Sequence, residues 1–144
     1  MSSLQLHFRS YGDSGSRPLL LLHGLLGSSA NWHSIARTLE RGFRVVVPDL
    51  RNHGRSPHSQ QMDYPLMAAD LAALIQRLEL GAADLVGHSL GGKVAMQLAL
   101  QAPELVRGLV VLDIALVRYD HRFQTMIDAL QGLDLARLDN RQQA

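Results

Sequence analysis

The chain has 144 residues, of which 47% are hydrophobic and 19% charged, with a formal net charge of +1 and no cysteine. This length allows one domain with a hydrophobic core, and the near-neutral charge favours neither a nucleic acid nor an anionic membrane as a partner. The lack of cysteine excludes disulfides and thiolate metal sites and fits a cytoplasmic location. The amino-terminal residues do not resemble a signal peptide, and the apolar run at 19–22 is far too short to span a bilayer, so no membrane insertion is expected.

The first elements follow from two apolar patterns. Residues 4–11 predict an edge strand of a hairpin, and residues 18–22 form the continuous apolar run of a strand that is buried on both faces. A loop at 23–29 separates this strand from a predicted helix over 32–40, which Gly42 ends. The expected buried face of that helix consists of Trp32, Ile35, Ala36 and Leu39.

The same alternation then repeats. Residues 44–48 predict a second buried strand, and the polar residues 49–64 predict a loop. Pro65 opens a helix that closes at Gly81. Its apolar positions at helical spacing are Met67, Leu71, Leu74, Ile75 and Leu78.

A third unit completes the pattern with a strand at 84–86, a helix that reaches residue 101 and a buried strand at 108–113. Strands that alternate with helices indicate an α/β fold with a mostly parallel sheet and helices on both faces. Ligands of such sheets bind at the carboxyl ends of the strands. The residues expected there are His23, Asp49, Ser89 and Asp113.

Residues 87–91 read Gly-His-Ser-Leu-Gly and lie between an apolar strand and a helix of small residues. This is the Gly-x-Ser-x-Gly motif of a nucleophile elbow, in the context that the motif needs. The glycines permit a turn tight enough to lift the Ser89 hydroxyl above the sheet, where it can attack a carbonyl carbon. The alternative, that Ser89 only caps a helix, leaves the glycines at both 87 and 91 unexplained.

A serine nucleophile also needs a base, and it needs donors for the oxyanion that develops on the substrate. The elbow offers the backbone N–H of Leu90, and the loop after the first buried strand offers that of Leu25. In that loop Gly24 lets the backbone approach the substrate, and the side chain of His23 is expected to organise the loop and not to act as the base.

His23 and two further residues are candidates for substrate binding. His88 neighbours Ser89 in the elbow and is expected to lie close to the site. Trp32 either lines an acyl pocket or anchors its own helix, and the sequence leaves both roles open. The other histidines show no ligand spacing with carboxylates, so no metal site is expected.

Five segments carry a family resemblance. They read His-Gly-Leu-Leu-Gly-Ser from 23, Asp-Leu-Arg-Asn-His-Gly-Arg-Ser from 49, Met-Asp-Tyr-Pro from 62, Gly-His-Ser-Leu-Gly-Gly-Lys from 87 and Asp-Ile-Ala from 113. In these segments the chain resembles the α/β-hydrolase superfamily and, within it, the YbfF-type bacterial esterases. The resemblance implies a serine hydrolase of carboxylic esters or acyl thioesters that uses no cofactor. A dehalogenase or an epoxide hydrolase is disfavoured, because their nucleophile is an aspartate.

The resemblance also concerns the partners of Ser89, which follow it in the order acid, then histidine. Asp113 ends the strand after the elbow helix, a position that some members use for the acid, and its alternative role is to order the following loop. Most members place the acid after the next strand and the histidine near the end of a longer chain. His121, the only histidine after Ser89, is therefore expected to be a surface or cap residue.

Residues 1–113 are thus expected to form the N-terminal portion of the hydrolase core, and residues 114–144 to begin a cap region with helices over 122–130 and 133–140. The family core has further strands, so we expect a fold truncated before the last strands and a base histidine outside this chain. Two alternatives stay open, a non-catalytic binding or interaction module and an acyltransferase. The expected partner is a small acyl ester or thioester; the acyl chain length and the oligomeric state stay open.

Overall fold

A computed structural model describes residues 3–115, 117 and 124–132. Its centre is a sheet of five described strands in the order β1-β3-β2-β4-β5. The strands are β1 Phe8–Tyr11, β2 Arg17–Leu22, β3 Phe43–Pro48, β4 Ala83–His88 and β5 Val106–Leu112. The last four run parallel, and β1 lies antiparallel to β3 at one edge. The predicted α/β fold with a mostly parallel sheet is confirmed.

Helices connect the parallel strands, as such connections require a crossover. The described helices are α1 His33–Leu39, α2 Tyr64–Arg77, α3 Leu90–Gln101 and α4 Gln124–Gln131. Short 3₁₀ turns at Ser29–Trp32 and Pro103–Leu105 precede α1 and β5. At the start of α2 the Asp63 side chain accepts the N–H of Leu66 at 2.8 Å, which caps the helix.

The core has two layers because side chains alternate between the faces of each strand. Leu20 and Leu22 belong to a buried cluster with the inner faces of α2 and α3. Leu19 and Leu21 belong to a second cluster with Trp32 and the helix α1. Helices therefore cover both faces of the sheet, with the parallel strands buried between them.

Two local predictions were wrong. β1 does not form a hairpin with β2, since β2 is flanked by β3 and β4 and has no free edge. Ile35 is 48% exposed and does not share the buried face of α1.

The apolar run of β5 is typical of a strand buried in a larger sheet. In the described sheet β5 is the edge strand, paired with β4, and its side chains of Leu109, Val110 and Leu112 are exposed.

Most of the predicted cap region lies outside the described residues. The helix predicted over 122–130 corresponds to α4, and the helix predicted over 133–140, like His121, falls outside the described part. Within that described part, every helix falls short of the length and apolarity that a membrane span requires.

Candidate active site

The carboxyl ends of the four parallel strands bring sequence-distant residues to one edge of the sheet. Strand register aligns Leu22 with Gly87 and His88 with Leu112, so the loops that follow β2, β4 and β5 start side by side. A Cβ atom on Gly24 would lie only 3.0 Å from Nδ1 of His88, which shows how closely the loop after β2 approaches the elbow.

The elbow itself is a strained turn. Ser89 has φ 49° and ψ −113°, a conformation that L-residues rarely adopt. A Cβ on Gly91 would lie 2.7 Å from the carbonyl oxygen of His23, and one on Gly87 would lie 2.6 Å from Cα of Gly92. Backbone therefore packs directly on backbone at both glycines. A larger residue at Gly87 would force β4 and α3 apart, and one at Gly91 would force α3 away from the end of β2.

The hydroxyl of Ser89 makes no hydrogen bond to any described residue. Ser89 is the N-cap of α3, yet its side chain makes no capping hydrogen bond. Its backbone N–H donates to the carbonyl of Leu112 at 2.9 Å, which ties the turn to β5. Among residues 3–115, 117 and 124–132, no hydrogen-bond partner of the Ser89 hydroxyl is found, and Ser89 is half-buried. The helix-capping alternative for Ser89 thus lacks the hydrogen bond that it requires.

Two backbone N–H groups, one beside Ser89 and one in the loop after β2, are the donors expected for an oxyanion. Leu90 opens α3, where the first N–H groups of a helix lack intrahelical acceptors. Leu25 lies in a tight turn closed by a 3.0 Å hydrogen bond from the N–H of Gly27 to the carbonyl of Gly24. Neither the Leu25 nor the Leu90 N–H donates to another residue in the described part of the chain.

His23 is buried and holds two loops together. Its Nδ1–H donates to the carbonyl of Gly24 at 2.8 Å, and its Nε2 accepts the N–H of Leu50 at 3.0 Å. Because one nitrogen donates and the other accepts, the ring is neutral. Burial lowers the pKa of His23 and outweighs the hydrogen bond to Gly24, which acts in the opposite direction. The ring therefore has no free nitrogen with which to accept a proton from Ser89.

Asp49 organises the loop that follows β3. Its buried carboxylate accepts the N–H of Ser29 at 2.6 Å, the N–H of Arg55 at 2.9 Å and a bond from His7 Nδ1 at 2.9 Å. Burial alone raises the pKa of Asp49, but these hydrogen bonds together outweigh it and lower the pKa to about 2. Asp49 thus holds its own loop and the loop after β2 through backbone N–H groups.

Arg51 has a partner that sequence reasoning missed. Its guanidinium forms two bonds to the Asp70 carboxylate, at 2.7 and 2.9 Å, and both side chains are buried. A third bond, to the carbonyl of Gln61, measures 2.7 Å. The sequence of α2 could have indicated this pair. Asp70 occupies a core-facing position beside Leu71 and Leu74, and a charge at such a position requires a buried partner.

His88 and Asp113 lie together at the outer side of the elbow. Nε2 of His88 is 3.6 Å from Oδ2 of Asp113, and the two side chains are 47% and 85% exposed. Asp113 has φ 56°, so β5 ends in a sharp turn at this residue. No described histidine lies within hydrogen-bond distance of the Ser89 hydroxyl.

A cleft of about 420 Å³ opens between the loop after β2 and helix α1. Its apolar walls come from Leu25, Leu26, Trp32 and Ile35, and His88 links it to the elbow. Trp32 contributes to this wall while its ring packs in the core beneath α1. Among the described residues, no group of three His, Cys, Asp or Glu side chains is placed to hold a metal ion.

Comparisons with known proteins identify the family of the fold. A profile of the alpha/beta hydrolase fold matches residues 17–143. The chain belongs to this family. Over 128 residues, the α/β hydrolase is 47% identical to sn-1-specific diacylglycerol lipase ABHD11 of Danio rerio, covering 86% of this chain and 40% of that protein.

Two esterases extend the comparison. The α/β hydrolase is 38% identical over 128 residues to esterase YbfF of Escherichia coli strain K12, covering 88% of this chain and 50% of that one. The solved structure of a marine microorganism esterase superposes with a TM-score of 0.90 and 41% identity, covering 98% of this chain and 56% of that chain. The predicted similarity to YbfF-type esterases is confirmed, and the chain spans about half the length of these relatives.

Proposed function

We propose that the full-length protein hydrolyses carboxylic esters or acyl thioesters through an acyl-enzyme on Ser89. The observation that carries the proposal is the Ser89 turn itself. Its backbone is held at φ 49° at the end of a parallel strand, and its hydroxyl caps no helix. A fold gains no stability from such a turn, and strain of this kind concentrates at functional sites. The esterase and lipase relatives support the same class of reaction.

In the proposed first step, the Ser89 oxygen forms a bond to the substrate carbonyl carbon while its proton passes to a base. The N–H groups of Leu25 and Leu90 then stabilise the negative oxygen, each contributing about 3 kcal/mol to the transition state. The ester C–O bond breaks, the alcohol leaves with the proton, and water releases the acid from Ser89 in the reverse manner. We assign the base to a histidine outside the described residues and the supporting acid to Asp113.

The cleft beside the elbow is the proposed acyl site. Leu25, Leu26, Trp32 and Ile35 supply apolar walls that suit a hydrocarbon chain. His88 lies at the junction of the cleft and the elbow, and His23 supports the cleft from beneath. Residues from 114 onward are proposed to begin the cap over this cleft.

The test compares ester turnover by the full-length wild type, Ser89→Ala and Ser10→Ala. Ser10 is an exposed serine on the edge strand β1 and controls for the substitution itself. With p-nitrophenyl butyrate, Ser89→Ala is expected to lower kcat on the order of 10⁴-fold or more, whereas Ser10→Ala retains it. Retained turnover in Ser89→Ala would contradict the proposal. A wild type that turns over no ester and takes no fluorophosphonate label would favour a binding module, and ester products formed with added alcohol would favour acyl transfer.

A further inference from the structure

The loops that follow β2 and β3 are joined by a reciprocal exchange of histidine hydrogen bonds. From the first loop, His23 accepts the N–H of Leu50 at 3.0 Å. From the second loop, His53 accepts the N–H of Leu26 at 3.3 Å. The two rings lie 5.0 Å apart, centre to centre. Each loop thus supplies an imidazole that binds the backbone of the other.

The hydrogen bonds of His53 fix its tautomer. Nδ1 lies 2.9 Å from the carbonyl oxygen of Arg51, which can only accept, so Nδ1 carries the proton. Nε2 is then the acceptor that faces the N–H of Leu26. The ring is buried, so it reaches these partners without competition from water. His53 therefore presents one fixed acceptor to the loop after β2.

The residue that His53 holds is strained. Leu26 has φ 62°, a left-handed conformation that costs an L-residue stability. Its side chain is 73% exposed, so packing of the side chain does not hold this conformation in place. The hydrogen bond from its N–H to His53 does, together with the turn bond from Gly27 to Gly24.

We propose that His53 is a positioning residue for the oxyanion hole. Leu26 directly follows Leu25, whose N–H we assign to that hole, so the angle of the Leu25 N–H depends on the backbone that His53 fixes. An oxyanion donor acts only if it is aimed before the reaction begins. This inference rests on the proposed function, and it extends the site to the loop after β3.

Two amide variants separate positioning from general stability. In His53→Gln the amide oxygen lies four bonds from Cα, as Nε2 does, and can still accept the N–H of Leu26. In His53→Asn the amide nitrogen lies three bonds from Cα, as Nδ1 does, and can still donate to the carbonyl of Arg51. The shorter side chain does not reach the N–H of Leu26. Both variants remove the ring and differ from each other by one methylene group, so the loss of packing is similar in the two.

Steady-state hydrolysis and urea unfolding of the full-length variants test the inference. We expect His53→Gln to keep kcat within about threefold of the wild type, and His53→Asn to lose about 10² in kcat with KM nearly unchanged. Affinity for a trifluoromethyl ketone, whose tetrahedral adduct places an oxyanion in the hole, is expected to fall with kcat. The urea midpoints of the two variants are expected to agree.

Full turnover in His53→Asn would overturn this inference while leaving the proposed function intact. Equal losses of kcat in both variants, with parallel losses of stability, would also overturn it, since His53 would then only support the fold. An absence of Ser89-dependent turnover in the wild type would overturn the proposed function first, and the role of His53 with it.

Discussion

Arg51 and Asp70 form a buried ion pair with two hydrogen bonds that ties the loop after β3 to helix α2. The same loop carries Asp49 and His53, which hold the backbone of the loop after β2. Two sets of polar contacts therefore hold the backbone beside Ser89. The Arg51–Asp70 pair fixes the loop after β3, and the hydrogen bonds of Asp49 and His53 fix the loop after β2.

Removal of one member of the buried pair is expected to be costly. Arg51→Met leaves the Asp70 carboxylate buried without a positive charge and with only the N–H of Leu4 as a partner, which is expected to lower the free energy of unfolding by about 3–5 kcal/mol. Arg37→Met serves as the control, because the pair of Arg37 with Glu40 is exposed and contributes less than about 1 kcal/mol. Urea unfolding measures both, and similar losses in the two variants would contradict the importance of the buried pair.

A side chain at Gly54 is expected to collide with the Asp49 carboxylate. Gly54 has φ 53°, and a Cβ there would lie 2.6 Å from Oδ1 of Asp49. Gly81 is a matched control, since it has φ 66° and no atom within 4 Å of the added Cβ. Gly81→Ala is expected to cost about 1–2 kcal/mol for the backbone conformation alone, and Gly54→Ala about 1–3 kcal/mol more. Thermal or urea unfolding that gives equal losses would refute the collision.

Acid is expected to remove the contribution of Asp49. Its pKa of about 2 in the folded protein lies below the ordinary value of 3.8, so the folded state binds its proton less readily than the unfolded state. The stability that it provides is complete above about pH 4–5 and falls as the pH drops through 2. The difference in unfolding free energy between the wild type and Asp49→Asn should therefore shrink from pH 5 to pH 2. A difference that stays constant over this range would show that Asp49 has an ordinary pKa.

The strained backbone at Ser89 is expected to lower the free energy of unfolding of the protein while it positions the hydroxyl for catalysis. Ser89→Gly removes the side chain that makes φ 49° unfavourable, whereas Ser89→Ala keeps it. We expect the free energy of unfolding of Ser89→Gly to exceed that of Ser89→Ala by about 1 kcal/mol. This difference already includes the stability lost because glycine has more conformational entropy in the unfolded chain. Both variants are expected to be inactive. Equal stability of the two would mean that the turn stores no strain.

A larger side chain at Ile35 is expected to shorten the preferred acyl chain. Ile35 lines the cleft and is half exposed, so Ile35→Trp narrows the space without disturbing the core. The ratio of kcat/KM for an octanoyl ester to that for an acetyl ester should fall about tenfold. Leu100→Trp is the control, because Leu100 is 79% exposed on α3 and lies outside the cleft. An unchanged ratio in Ile35→Trp would place the acyl chain elsewhere.

Much of the fold could be predicted from local pattern. The unbroken apolar runs of β2 and β3 are typical of strands buried on both faces, and the helical spacing in α2 matches its buried side. The Gly-x-Ser-x-Gly motif predicted a tight turn at Ser89 because two backbones meet there with no room for a Cβ atom. These features depend on residues close together in the chain.

Contacts between distant segments were decided only by the tertiary structure. β1 pairs with β3 because β2 already has a neighbouring strand on each side. No pattern within residues 4–11 indicates which strand β1 pairs with. Arg51 pairs with Asp70 and not with Asp49, because the loop after β3 folds across α2 and brings that carboxylate to the guanidinium. The link from His53 to Leu26 likewise exists only once two strand ends lie side by side. Local sequence sets which elements form, whereas the partner of each buried polar group depends on how those elements pack.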